Sequence, residues 1–158
     1  MTEFRVGIGV DAHALADGVP LVLGGVELDH PRGLAGHSDG DVIVHALIDA
    51  LLGASGLGDI GSLFPSEDEG LRGVSSLDLL AQAYAQVTAA GYELVNADCV
   101  LVGEEPRIAA HRTAMRERLT ALIGAGEINV RATTTDRLGF TGRHEGLAAH
   151  AVALLRRQ

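Results

Sequence analysis

An apolar run, Phe4-Arg5-Val6-Gly7-Ile8-Gly9-Val10, leads directly into Asp11-Ala12-His13. On an extended strand alternate side chains share a face, so a strand here aims a carboxylate and an imidazole at one point. Downstream, Gly36-His37-Ser38-Asp39-Gly40-Asp41-Val42-Ile43-Val44-His45 can supply a second imidazole. Two His and one carboxylate are a ligand set typical of a catalytic zinc with an open fourth position. Bringing His45 to the strand that carries Asp11 and His13 constrains the fold more than any other segment.

The 158 residues suffice for a single domain, 1–158, with a real core. Hydrophobic residues make up 47% and aromatics only 3%, so that core must be built from Val, Leu, Ile and Ala. No basic-then-apolar N-terminal segment marks a secretory signal, and no apolar run is long enough to span a membrane. Cys99, in Ala97-Asp98-Cys99-Val100-Leu101-Val102, reads as a buried structural thiol. One cysteine forbids an internal disulfide and fits a reducing cytoplasm. A net charge of −9 argues against nucleic acid and anionic membranes as partners. A phosphate ester would have to be held locally, by metal ions and backbone N–H groups.

Phe4 to Val10 reads as a strand. Leu21-Val22-Leu23 and Val26-Glu27-Leu28 flank Gly24-Gly25, a hairpin signal. A helix starts near Ser38 or Asp39, either of which could cap it, with Ile43, Leu47, Ala50, Leu51 and Ala54 as its apolar stripe. Residues 53–73 read as a long functional loop. A second helix spans Ser76 to Ala90 with Gly91 as its C-terminal cap. Leu94 to Val102 and Ile128 to Thr134 read as strands. Between them a third helix opens with Pro106 in its first turn and turns Ile108, Met115, Leu119 and Leu122 inward. A last helix is predicted over Gly142 to Arg156, with Leu147, Ala151, Leu154 and Leu155 on its apolar face. The order β-β-β-α-α-β-α-β-α predicts an α+β domain, one mixed β-sheet with helices packed on one face.

His45 shares a helical stripe with Asp41 and Asp49, and either carboxylate could take its second N–H and fix the tautomer. His37 could be a fourth ligand; a substrate-side role fits better, since a catalytic metal needs an open position. Ser38, Asp39 and Gly40 could simply be a cap. Thr133-Thr134-Thr135-Asp136 is either a β-rich strand end or a row of hydroxyls and amides holding phosphate, with Asp136 on a harder cation such as magnesium or manganese. Gly103-Glu104-Glu105-Pro106-Arg107 joins a strand to a helix start, where free N–H groups could hold an anion or a base edge. His30, His111, His144 and His150 read as solvated or structural.

Taken together, Asp11-Ala12-His13, Leu23-Gly24-Gly25-Val26, Ala35 to Asp41, His45-Ala46-Leu47, Asp49 to Gly53, Gly58-Asp59-Ile60-Gly61, Leu63-Phe64-Pro65, Ala132 to Thr135 and Leu138 to Arg143 resemble, in that order, the 2-C-methyl-D-erythritol 2,4-cyclodiphosphate synthase family. The resemblance covers nearly the whole chain and is most specific from His37 to Pro65. It implies an intramolecular phosphoryl transfer in the non-mevalonate isoprenoid pathway. A cytidine diphosphate ester of methylerythritol carrying a further phosphate closes into a cyclic diphosphate, and CMP leaves.

By this resemblance Asp11, His13 and His45 hold zinc, Asp136 takes magnesium or manganese, and His37 and Thr134 stabilise the transition state. Asp11, His13 and Ser38 also lie against the substrate. Asp59, Ile60 and Gly61 meet the methylerythritol part, and Phe64, Pro65, Ser66, Glu67 and Asp68 close over it. Gly103, Pro106, Arg107, Ile108 and Ala109 hold the cytidine diphosphate end with Thr133, Thr134, Thr135 and Asp136. The family is a homotrimer with sites between subunits, and its central cavity can hold isoprenoid diphosphate-like ligands near Phe140 and Arg143. Val10 stands where many members carry Phe, Ile8 where many carry His, Arg107 for a frequent Lys, His144 for a frequent Gly or Glu, and Asp136 for a frequent Glu. These departures bear on the central cavity more than on the zinc ligands. A metal-dependent phosphohydrolase using zinc-bound hydroxide on a nucleotide ester explains the same ligands. A non-catalytic metal- or nucleotide-binding module leaves His37 and Thr134 without a purpose.

Overall fold

The computed structural model describes residues 1–157. Strand β1 (Glu3–Asp17) is followed by the hairpin β2 (Leu21–Leu23) and β3 (Val26–Leu28), then by a short strand, β4 (Arg32–Leu34). Helix α1 (Val42–Ser55), the one-turn helix α2 (Ile60–Leu63), a 3₁₀ turn (Glu69–Leu71) and helix α3 (Ser76–Ala89) come next. The second half runs β5 (Glu93–Val102), a 3₁₀ turn (Ala109–His111), α4 (Arg112–Ile123), β6 (Glu127–Thr133), the one-turn α5 (Gly139–Gly142) and β7 (Gly146–Arg157). Five strands form one sheet in the order β4-β1-β7-β5-β6; only β5 and β6 are parallel, and α4 makes their crossover. The long helices cover one face of this sheet, as the element order predicts. The core between is aliphatic: Leu21, Ile43, Leu47, Leu51, Leu80, Leu101 and Leu119 are fully or almost fully buried, as is Cys99.

The contact that positions the site is a seam of small residues. On β1, Gly7 and Gly9 face α1, and each meets helix backbone. A Cβ on Gly9 would lie 1.9 Å from the Ala46 carbonyl oxygen, and one on Gly7 would lie 2.1 Å from that of Ala50. Ala149, Ala151 and Ala153 of β7, all buried, continue this side of the sheet. The helix therefore rests almost on the strand backbone. His45, at its N-terminal end, is brought down beside Asp11 and His13, the next residues of β1 on the same face.

The C-terminal segment corrects the sequence reading. Gly146–Arg157 is a strand, paired with β1 on one side (Gly9↔Ala151) and β5 on the other (Cys99↔Ala151). A spacing of four satisfies both a helix and an alternating strand, so Leu147, Ala151 and Leu155 share a face either way. Leu154 decides the matter, because it lies half-buried on the opposite face. Pairing on both edges outweighs the helix preference of Ala and Leu. Three smaller differences follow local chemistry. The cap of α1 is Asp41, whose carboxylate accepts from Val44 N–H, rather than Ser38 or Asp39. Pro106 lies in a loop ahead of α4, which begins only at Arg112. The long loop after α1 contains α2 and a 3₁₀ turn.

Candidate active site

Asp11, His13 and His45 converge, their ligating atoms all within 4.8 Å of one another. Asp11 Oδ2 lies 2.8 Å from His13 Nε2 and 3.1 Å from His45 Nδ1, and the two ring nitrogens are 3.2 Å apart. The far nitrogens are tied back. His13 Nδ1–H donates to the Ala35 carbonyl at 2.9 Å, which leaves Nε2 as the lone-pair atom facing the site. His45 Nε2 lies 2.8 Å from Ser76 Oγ and 3.1 Å from Ser38 Oγ. Burial works to raise the Asp11 carboxyl, but hydrogen bonds from His13 and His45 in their protonated form, which then carry N–H toward it, outweigh burial and hold the group at about 2. The Asp11 hydrogen bond raises His13 above its ordinary value, against burial. A carboxylate and two imidazoles on one point suit a divalent cation, with a position left open for another ligand.

The carboxylates thought to serve His45 do other work. Asp41 is fully buried and accepts from Gly24 and Gly25 N–H at 2.9 and 2.7 Å, pinning the β2–β3 hairpin to α1. Asp49 accepts from Ile60 N–H at 2.7 Å and so holds the start of α2 against α1. Instead, Asp39 stands behind His45, through Ser76. The Ser76 hydroxyl donates to Asp39 Oδ1, and Ser76 N–H donates to Oδ2 at 3.0 Å. No spacing rule in the sequence links residues 39 and 76; the clue is only that a Ser opens the helix that follows the long loop.

The cluster opens onto a cavity of about 260 Å³ that His37, Ser38, Ile60, Gly61, Phe64 and Ser66 also line. His37 Nε2–H donates to the Asp68 carbonyl at 2.9 Å, so the His37 loop and the Phe64–Asp68 loop are joined across its mouth. Asp59 caps α2 in a reciprocal pair with Ser62. Pro65, Glu67 and Asp68 are exposed beside it.

A second hollow, about 360 Å³, is lined by Gly103, Pro106, Arg107, Ile108, Ala109, Thr133 and Thr134. It adjoins a third, about 410 Å³, where Arg107, Thr134 and Asp136 meet Glu104, Arg137 and His144. Neither shares a residue with the metal cavity, so one chain does not bring Thr134 to His37. Glu104, read from the sequence only as part of the strand-to-helix joint, clamps these loops. Its Oε1 accepts from Arg137 N–H at 2.7 Å, just after Asp136 and Arg137 take left-handed backbone angles of φ 51° and 67°. Its other oxygen is buried without a partner. Thr135 Oγ1 is 3.0 Å from Thr141 Oγ1, away from both hollows. Arg143 pairs with Glu145 at 3.0 Å, and Phe140 is exposed.

A mixed sheet covered on one side, with an Asp-His-His cluster between its first strand and its first helix, defines a class. The sequence matches the YgbB family over residues 4–156, and the chain belongs to that family. Its relatives are 2-C-methyl-D-erythritol 2,4-cyclodiphosphate synthases. It is 54% identical to the synthase of Rubrobacter xylanophilus over 162 residues, 99% of this chain and 98% of that protein. A solved synthase structure in a CDP-bound form superposes with a TM-score of 0.87 at 40% identity, over 96% of this chain and 99% of that one. The bifunctional IspDF of Campylobacter jejuni gives a TM-score of 0.96 at 41% identity, and this chain spans 43% of it. The chain is accordingly an enzyme, a lyase of isoprenoid biosynthesis. No helix among the described residues is long and apolar enough to cross a membrane.

Proposed function

We infer that this chain converts 4-diphosphocytidyl-2-C-methyl-D-erythritol 2-phosphate to 2-C-methyl-D-erythritol 2,4-cyclodiphosphate and CMP, in the cytoplasm, as a homotrimer with shared sites. In this reaction an oxygen of the 2-phosphate forms a bond to the β-phosphorus. The bond from that phosphorus to the bridging oxygen breaks, and CMP leaves with the electron pair. The observation that carries the reading is the Asp11-His13-His45 cluster opening on a cavity lined by His37 and Phe64, within the family's own sequence frame.

Asp11, His13 and His45 would hold zinc; Asp136 would hold magnesium or manganese together with substrate phosphates. When bound, these cations neutralise charge that gathers on the diphosphate oxygens. The protein's own part is positioning, which dominates phosphoryl transfer. His37 and Ser38 line the metal cavity and would meet a phosphate held there. The hydrogen bond from His37 to Asp68 couples that histidine to the loop that closes over the methylerythritol part. Ile60, Gly61 and Phe64 present a small, largely apolar wall, which suits a reaction with an internal nucleophile. Gly103 to Ala109, with Thr133 and Thr134, offers backbone groups and hydroxyls to the cytidine diphosphate.

Two features support the trimer. Thr134 and His37 line separate hollows, so a complete site needs a second copy. The uncovered sheet face exposes Phe4, Val6, Ile8, Val10 and Val152, an apolar strip that a partner would bury. Phosphorus NMR of the products is the test. Cyclic diphosphate plus CMP is expected; CMP with a linear phosphate would replace this reading with a hydrolase. Mixing inactive His13→Ala and Thr134→Ala chains should restore part of the activity after subunit exchange, and no recovery would remove the shared site. An isoprenoid diphosphate near Phe140 and Arg143 is a further part of the reading. Native mass spectrometry of the trimer, wild type against Arg143→Ala, decides it.

A further inference from the structure

We propose that Asp39 and Ser76 are positioning residues that set the tautomer of His45, so that its Nδ1 lone pair faces Asp11 and His13. The inference rests on the reading of those three residues as a metal centre. A neutral imidazole carries one proton, and the nitrogen that holds it cannot bind a cation. For His45 the cation-facing atom is Nδ1, 3.1 Å from Asp11 Oδ2, so the proton must sit on Nε2.

The surroundings of Nε2 impose that choice. Its partner at 2.8 Å is Ser76 Oγ, and Ser76 is wholly buried. A serine hydroxyl has one proton, and this one is committed to Asp39 Oδ1. Ser76 Oγ can therefore only accept from His45. Asp39 is itself fixed, because its two oxygens also take Ser76 N–H at 3.0 Å and Asp41 N–H at 3.1 Å. The result is a one-way chain, His45 Nε2–H to Ser76 Oγ–H to Asp39, that runs from the first turn of α1 through the first turn of α3 to the loop before α1. Ser38 Oγ, 3.1 Å from Nε2, does not fix the direction by itself, since its hydroxyl can donate or accept.

Removing the chain's end should free the tautomer. Ser76→Ala leaves Nε2 only Ser38. Asp39→Ala removes both carboxylate oxygens, so the hydroxyl of Ser76 loses its acceptor. Nitrogen-15 imidazole NMR of the metal-free protein reads the tautomer directly. Zinc competition against a chromophoric chelator reads affinity, and circular dichroism checks the fold. The wild type should show His45 protonated at Nε2. Both variants should show a mixture, with zinc binding weakened about tenfold or more, as losses behind a metal-bound histidine generally give. Ser76→Thr, which keeps the hydroxyl, should restore the wild-type tautomer. A folded Ser76→Ala or Asp39→Ala protein with the wild-type tautomer and a zinc dissociation constant within twofold of wild type overturns the proposal. His45→Ala separates the two readings: undiminished zinc binding there removes the metal centre, while the tautomer spectra still judge the Asp39–Ser76 chain.

Discussion

Single side chains here owe their chemistry to what is packed around them. Cys99 is fully buried between β7 and β6, and burial, with the charges of Asp98 and Asp41, pushes its thiol up to about 12. A thiol raised so far and shut off from solvent should be inert to reagents that attack thiolate. A timed thiol-labelling assay should show reaction only on unfolding in denaturant; rapid labelling of the native protein would contradict its burial. Asp11 is the opposite case, ionised because two imidazoles hold it so. Metal analysis of purified His45→Ala should show zinc reduced to background, whereas His111→Ala, far from the cluster, should leave it unchanged. Glu104 gives a third test. With Glu104→Ala the Arg137 amide loses a charged acceptor, and its hydrogen exchange should accelerate by about tenfold or more.

Among the elements, the β1–α1 seam matters most. Gly9→Ala would drive a methyl group into the Ala46 carbonyl, with no flexible side chain to yield. Overpacking of this kind costs about 2–3 kcal/mol, which urea unfolding would register. Metal affinity should fall with it, because lifting α1 moves His45 away from Asp11. Asp11-x-His13 on a strand, His45 on a helix and the Gly24-Gly25 hairpin were legible because each is written in local spacing. The seam was harder to read: Gly7 and Gly9 look like gaps in an apolar run, and Ala46, Ala50 and Ala54 look like an ordinary apolar stripe. Only their juxtaposition shows that small residues on both sides set the approach. The strand at Gly146–Arg157 was misread for a related reason. Its alternation is of small Ala with larger residues, not of apolar with polar, and its pairing partners lie far away in sequence.

For the molecule as a whole, the sheet has one face committed to its helices and one left apolar and open. If that open face is where copies meet, Ile8→Asp, at a position 67% exposed in the single chain, should leave the far-ultraviolet spectrum intact. It should also yield monomers by light scattering, with activity lost. A trimeric, active Ile8→Asp protein would place the contact elsewhere. The order of strands carries one more consequence. β7 lies between β1 and β5, yet every other strand of the sheet precedes it along the chain. Until β7 has been synthesised and inserted, β1 and β5 have no common neighbour, and the helix that carries His45 has half a floor to rest on. In a chain still lacking residues 146–157, β1 and α1 can meet at their glycine seam, but the floor beneath the helix is completed only when β7 is added.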